Sequence, residues 1–186
     1  TSRGLGDVYK RQQDFVIAAQ FEGGGSYGKG MFEAGHVSET FRAAAGLCYG
    51  AIGEILPSQN GKFSTAVRVP TGVVGVISPW NVPGILTSRG FAFAMAIGNT
   101  IVLKPSEETP YAGGLFFAEI LEEAGVPNGV FNVITASRDR TPEVGDELID
   151  NPLVKGISFT GSTPVGRRIA AKCGAHLKKC LSLIHI

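Results

Sequence analysis

Hydrophobic and polar positions fall into two regimes that meet near Pro70. From Gln13 to about Ile55 the pattern reads mainly helical. Phe32, His36, Thr40, Phe41, Ala44 and Ala45 recur at roughly helical spacing, with Glu33, Glu39 and Arg42 between them. The cluster Gly23-Gly24-Gly25-Ser26 divides this region into a short helix and a long one. Pro57 to Gly61 is a turn, and Phe63 to Pro70 alternates and is β-branched, which predicts an extended strand or arm.

Beyond Pro70 the rhythm becomes that of alternating strands and helices. Gly72-Val-Val-Gly-Val-Ile-Ser78 is a continuous apolar run, as expected for a strand buried on both faces of a parallel sheet. A helix follows over about Ile85 to Ile97, a strand over Thr100 to Lys104, and a helix from about Pro110 to Ala124. Thr109 is placed as its N-cap, Pro110 at its first position and Gly125 just past its end. Next come a strand over Val130 to Ile134 and a helix around Gly145 to Asp150. A strand over Gly156 to Phe159 then runs through Thr160-Gly-Ser-Thr163 into a helix reaching about Lys172. The expected fold class is α/β: a Rossmann-like parallel sheet, incomplete, preceded by helices and an extended arm.

Composition narrows the function classes. The 186 residues are 44% hydrophobic and 18% charged, enough to fill a core, and the net charge is +1. That balance gives no reason to expect a nucleic-acid or membrane partner. No apolar run approaches the ~20 residues of a bilayer-spanning helix, and no signal peptide is evident, so a cytoplasmic enzyme is expected. Cys48, Cys173 and Cys180 make neither a disulfide framework nor a zinc pattern, and His36, His176 and His185 have no metal-ligand spacing, so no metal is expected. The 26 glycines, about twice the usual share, point to tight turns and close backbone approaches.

The two termini read as foreign to what lies between them. Asp7-Val-Tyr-Lys-Arg-Gln12 can be encoded by GATGTGTATAAGAGACAG, whose reverse complement encodes Leu181-Ser-Leu-Ile-His-Ile186. One short DNA element, inverted at the two ends of an insert, accounts for both, and it looks like the end sequence of a transposase-based library. The expectation is therefore that residues 1–12 and 181–186 are adaptor-derived and that 13–180 carry the native sequence.

Ligands of an open parallel sheet bind beyond the carboxyl ends of its strands. Ser78-Pro-Trp-Asn-Val-Pro83 places an Asn amide directly after a buried strand. Asn81 could stabilise an oxyanion, or could equally satisfy the backbone of a rigid turn. In Lys104-Pro-Ser-Glu107 the Lys and Glu could grip the hydroxyls of a ribose, or form a solvated charged turn. A carboxylate there would repel a 2′-phosphate and so favours NAD over NADP. Phe159-Thr-Gly-Ser-Thr-Pro-Val-Gly166 opens a helix whose free N–H groups could meet phosphate, or is an ordinary capped βα loop. Arg138-Asp-Arg140 reads as a solvated loop, with Gly145 opening a helix near where a nucleotide would lie. Cys173 on a helix and Cys180 on a strand read as scaffold.

These motifs, in this order, resemble the aldehyde dehydrogenase superfamily: Pro79-Trp-Asn-Val-Pro83, Lys104-Pro-Ser-Glu107, Gly125-Val-Pro-Asn-Gly129 and Phe159-Thr-Gly-Ser-Thr163. The resemblance covers essentially all of 13–180 and is closest to vanillin and benzaldehyde dehydrogenase-like members. It implies oxidation of an aldehyde to a carboxylic acid through a thiohemiacetal, with NAD as hydride acceptor and NADP left open. It implies that Asn81 is catalytic, binding the oxyanion, and that Ile77, Ser78 and Trp80 line the cofactor cleft. Lys104 and Glu107 would take the adenosine ribose, with Ser106 between them. Ser162, with Gly161 behind it and Phe159 before the turn, would meet the pyrophosphate, and Gly145 and Val165 would border the adenine. The arm at Phe63 to Pro70 implies a homo-oligomeric parent. The family's Glu-Leu-Gly-Gly segment, whose Glu is the general base, would put that Glu at Leu183, and the nucleophilic Cys would lie farther on. The implied consequence is a polypeptide without dehydrogenase turnover, a fragment of an active enzyme. A non-catalytic nucleotide-binding module, or a reductase of acyl phosphates or acyl-CoA, are the competing readings. Pro164 replaces a common Glu, and the turn after Ile134 lacks the usual Gly.

Overall fold

A computed structural model describes residues 10–184. The adaptor expectation for 1–9, 185 and 186 falls outside that range. Two helices, α1 (Gln12–Gly23) and α2 (Tyr27–Leu47), form a hairpin around the glycine cluster. Gly24 ends α1 at φ +63°, a left-handed conformation that glycine adopts without cost, and the Ser26 hydroxyl caps α2 by accepting from the Lys29 N–H at 3.2 Å.

The helical pattern stops earlier than the sequence predicts. Instead of continuing to Ile55, α2 ends at Leu47, and β1 (Gly53–Leu56) pairs antiparallel with β2 (Ser64–Val67). The local cause is Gly53. A Cβ there would sit 2.4 Å from the Ala66 carbonyl, so only glycine lets the two strands close.

The remaining elements alternate: β3 (Val73–Ile77), α3 (Pro83–Ala96), β4 (Thr100–Lys104), a π-helical turn (Tyr111–Leu115) continuing into α4 (Phe116–Glu123), β5 (Phe131–Val133), α5 (Thr141–Asp150), β6 (Val154–Gly161), α6 (Thr163–Ala175) and β7 (Lys179–Ile184). Proline stands in the first turn of α3, α5 and α6, where no intrahelical N–H bond is lost. The helix expected from Gly145 starts earlier, at Thr141, because Pro142 favours a first turn there. The expected N-cap Thr109 makes no capping bond, and its buried hydroxyl has no partner among the described residues. That helix start is held by the Glu22 carboxylate, which accepts from the N–H groups of Tyr111 (2.9 Å) and Ala112 (2.8 Å). Gly125 sits past the end of α4 at φ +80°, as expected.

The five strands form one parallel sheet in the order β5-β4-β3-β6-β7. Helices cover both faces. Phe15 and Val16 of α1, Val37 of α2, Phe91 of α3 and Phe117 and Ile120 of α4 pack with Val76, Ile101 and Leu103 on one face. Leu148 and Ile149 of α5 and Ile169 and Cys173 of α6 pack with Val154, Ile157 and Phe159 on the other. The chain builds outward from β3 to β4 and β5, then returns to place β6 on the other side of β3. That reversal opens a crevice between the carboxyl ends of β3 and β6. No helix among the described residues is long and apolar enough to cross a membrane.

Candidate cofactor site at the sheet reversal

Strand register assembles the site. Ile77 of β3 stands opposite Lys104 of β4 on one side and Phe159 of β6 on the other, so β3 and β4 finish in one row at the crevice and β6 runs two residues beyond it, to Gly161. The Ser78 N–H continues the ladder by donating to the Lys104 carbonyl at 3.2 Å. Past that row, the three turns singled out in the sequence lie side by side.

In the turn after β3, Ser78 is buried, and neither its hydroxyl nor the buried Oδ1 of Asn81 has a hydrogen-bond partner among the described residues. Two unsatisfied polar groups at the mouth of a crevice leave hydrogen-bonding capacity for a ligand. Trp80 is 55% exposed, so its ring flanks the opening without filling the core. Behind the turn, the fully buried Glu33 accepts from the Gly84 N–H through Oε2 (3.0 Å) and from the Lys29 ammonium through Oε1 (2.6 Å). It thereby anchors the start of α3. A contact across 51 positions leaves no local signal, and the sequence reading placed Glu33 only as a polar position between apolar ones.

In the turn after β4, Lys104 is only 2% exposed, and burial lowers its pKa against the opposing pull of Glu107. Its Nζ lies 3.5 Å from Glu107 Oε2. Burial pushes the Glu107 carboxyl up, but its own backbone N–H, Lys104 and Arg138 together outweigh that and hold it below the usual carboxylate range. Arg138, read in the sequence as part of a solvated loop, reaches back so that its Nε donates to Glu107 Oε1 at 3.2 Å and its other arm pairs with Glu108. Ser106 is buried, and its hydroxyl accepts from the Glu108 N–H at 3.3 Å, which shapes the turn.

In the turn after β6, the Phe159 ring is buried beneath Gly161, where a Cβ would come within 2.6 Å of it. Glycine therefore keeps the backbone low at the crevice. Ser162 is the N-cap residue of α6 by backbone geometry, yet its side chain makes no capping bond and is exposed. Its hydroxyl faces no local demand, unlike that of an ordinary capping serine. Next to it, Ile77, Lys104, Gly145 and Val165, with Pro142 and Ile169, line a cavity of ≈ 140 Å³ between α5 and α6. Of the sequence-predicted residues, Ile77, Lys104, Gly145 and Val165 thus line this cavity, while Ser78, Trp80, Asn81, Ser106, Glu107, Gly161 and Ser162 lie at or just past the ends of the adjacent strands β3, β4 and β6, with the Phe159 ring beneath Gly161.

The sequence matches the aldehyde dehydrogenase family over residues 6–183. The chain belongs to that family. It is 43% identical over 171 residues to the benzaldehyde dehydrogenase [NAD(+)] of Pseudomonas putida, covering 91% of this chain and 34% of that one. To the vanillin dehydrogenase of an Amycolatopsis species it is 41% identical over 181 residues, covering 95% and 36%. The NAD-dependent benzaldehyde dehydrogenase of Corynebacterium glutamicum superimposes with a TM-score of 0.92 at 36% identity, covering 98% of this chain and 39% of the other. The chain therefore spans about a third of the length of the relatives it matches.

Proposed function

We propose that this chain is the front part of an NAD-dependent dehydrogenase of aromatic aldehydes and supplies the adenosine and pyrophosphate half of its cofactor site. The observation that carries the reading is the row Lys104–Ile77–Phe159, which brings three ligand-ready turns to one crevice in a member of this family. Lys104 and Glu107 orient the adenosine ribose: a carboxylate and an ammonium complement a diol from its two sides. The amino end of α6, the exposed Ser162 hydroxyl and the low backbone at Gly161 receive the pyrophosphate, and the apolar cavity beside Gly145 and Val165 receives the adenine. In the parent enzyme Asn81 would donate its amide N–H to the oxyanion formed when the nucleophilic Cys adds to the aldehyde carbon to give the thiohemiacetal. NAD, when bound, would supply the acceptor for the hydride released from the thiohemiacetal carbon as its C=O re-forms. The exposed arm, with Phe63 at its base, supports a homo-oligomeric parent.

On the same reading, residues 13–180 are native, 1–12 and 181–186 are adaptor-derived, the inverted DNA element accounting for 7–12 and 181–186, and these 186 residues alone show no turnover. Sequencing the source DNA outward from Lys179 is expected to run into a Glu-Leu-Gly-Gly segment and later a Cys. A frame that reads Leu181 to Ile186 and stops would leave nucleotide binding as the only role. Isothermal titration of the chain with NAD is expected to give saturable binding that Lys104→Met with Glu107→Gln abolishes. Absence of binding by the folded chain would overturn the cofactor assignment.

A further inference from the structure

The expected discrimination against a 2′-phosphate rests on the carboxylate of Glu107, and that charge is opposed twice, by Lys104 as paired in the sequence and also by Arg138. Lys104 meets one carboxylate oxygen and Arg138 the other, while Arg138 also pairs with Glu108. Lys104 and Arg138 against Glu107 and Glu108 sum to no net charge at this end of the crevice. Whatever hydroxyl Glu107 accepts, Arg138 stands within one side chain of it, because both bond the same carboxylate. A guanidinium carries five N–H donors, of which these two bonds use two, and it matches phosphate in a bidentate fashion. The Arg138 side chain is 76% exposed on the loop between β5 and α5, so it can pivot from Glu108 toward an incoming anion with little loss of packing.

We propose that Arg138 is a specificity-determining residue of the ribose end, one that lets the site take the 2′-phosphate of NADP as well as the free ribose of NAD. The proposal rests on the cofactor reading above. In the 2′-phosphate complex the guanidinium exchanges its Glu108 partner for phosphate oxygens, and Lys104 keeps Glu107 compensated.

The test is calorimetric titration of the 186-residue chain with NAD and, separately, NADP, for the parent sequence, Arg138→Ala and Arg138→Gln. Both nucleotides are expected to bind the parent sequence with affinities within about tenfold of each other. Either substitution is expected to shift the NADP-to-NAD affinity ratio by about ten- to hundredfold against NADP, as loss of a charge-assisted phosphate contact would. The shift should shrink as salt is raised. Binding of NAD with NADP more than a hundredfold weaker in the parent sequence would overturn this proposal and leave the cofactor site standing. An unchanged ratio in both variants would do the same. Failure of both nucleotides to bind the folded chain would overturn the site reading and this proposal with it.

Discussion

Single carboxylates do unusual duty in this molecule. Glu33 is wholly buried, with one oxygen on the Gly84 N–H and the other on Lys29. Glu33→Leu strands a buried backbone donor, so a loss of about 2–4 kcal/mol is expected in urea unfolding. Lys29, itself partly exposed, can recover solvation and limits the loss. Glu107 gives a pH signature. Its native pKa lies below its ordinary value of 4.5, so its contribution is fully present above that value and is lost as pH falls through the lower native one. Acid titration of stability is expected to show a steeper limb below pH 4.5 for the parent sequence than for Glu107→Gln. Cys173 is pushed up to about 11, first by burial and then by neighbouring Cys180. Alkylation at pH 8 followed by peptide mapping should therefore label the exposed Cys48 in the folded chain and Cys173 only after unfolding.

At the scale of elements, the helical hairpin is the brace of the crevice. Glu33 of α2 holds the start of α3, and Glu22 at the end of α1 holds the helix that follows β4. Each of those helices begins just after a strand whose end carries candidate site residues. A carboxylate at a helix amino terminus is favoured by the unpaired N–H groups it meets, and both acids use that attraction across long sequence separations. The fit is tight: a Cβ on Gly84 would sit 2.3 Å from the Phe15 ring. Gly84→Ala is expected to cost about 1–3 kcal/mol by forcing α1 and α3 apart. Trp80, the one tryptophan, is exposed in the turn just before α3 and should report that displacement as a shift in its emission. Asn99 does a comparable job at the other end of the sheet. Its Oδ1 accepts from the Thr71 N–H and hydroxyl and from the Gly72 N–H, while its amide donates to the Ala94 carbonyl, which ties the entry of β3 to the end of α3.

For the molecule as a whole, large apolar side chains are exposed away from the crevice. Ile52, Ile55, Phe63 and Val69 are all exposed on or beside the β1–β2 arm, with Phe63 at 77%. Exposed aromatic and aliphatic groups on a paired two-stranded arm invite association with another copy. Light scattering is expected to show concentration-dependent self-association that Phe63→Ser with Ile55→Ser reduces, and a strictly monomeric parent sequence would count against the arm as an interface. The parallel sheet adds two outer strands, β5 and β7, each with one unpaired side among the described residues.

How much of this was written in the chain depends on how far each cause reaches. The alternation of strands and helices after Pro70, the prolines that open helices and Gly125 that closes one are local, because a strand's period, a fixed φ and a left-handed turn act within a few residues. The sequence alone therefore determined the α/β class, the family motifs and the three turns that carry the candidate site. The extension of the helical reading to Ile55 failed because a strand there is stabilised only by β2 and by the close approach that Gly53 permits, and Thr109 was displaced as a cap by Glu22, which reaches the Tyr111 N–H across 89 positions. Tertiary structure alone decided the strand order that opens the crevice, the row that aligns Lys104 with Ile77 and Phe159, and the return of Arg138 onto Glu107. Those are contacts between groups far apart in sequence, whose energies exist only once the chain has closed the loops between them.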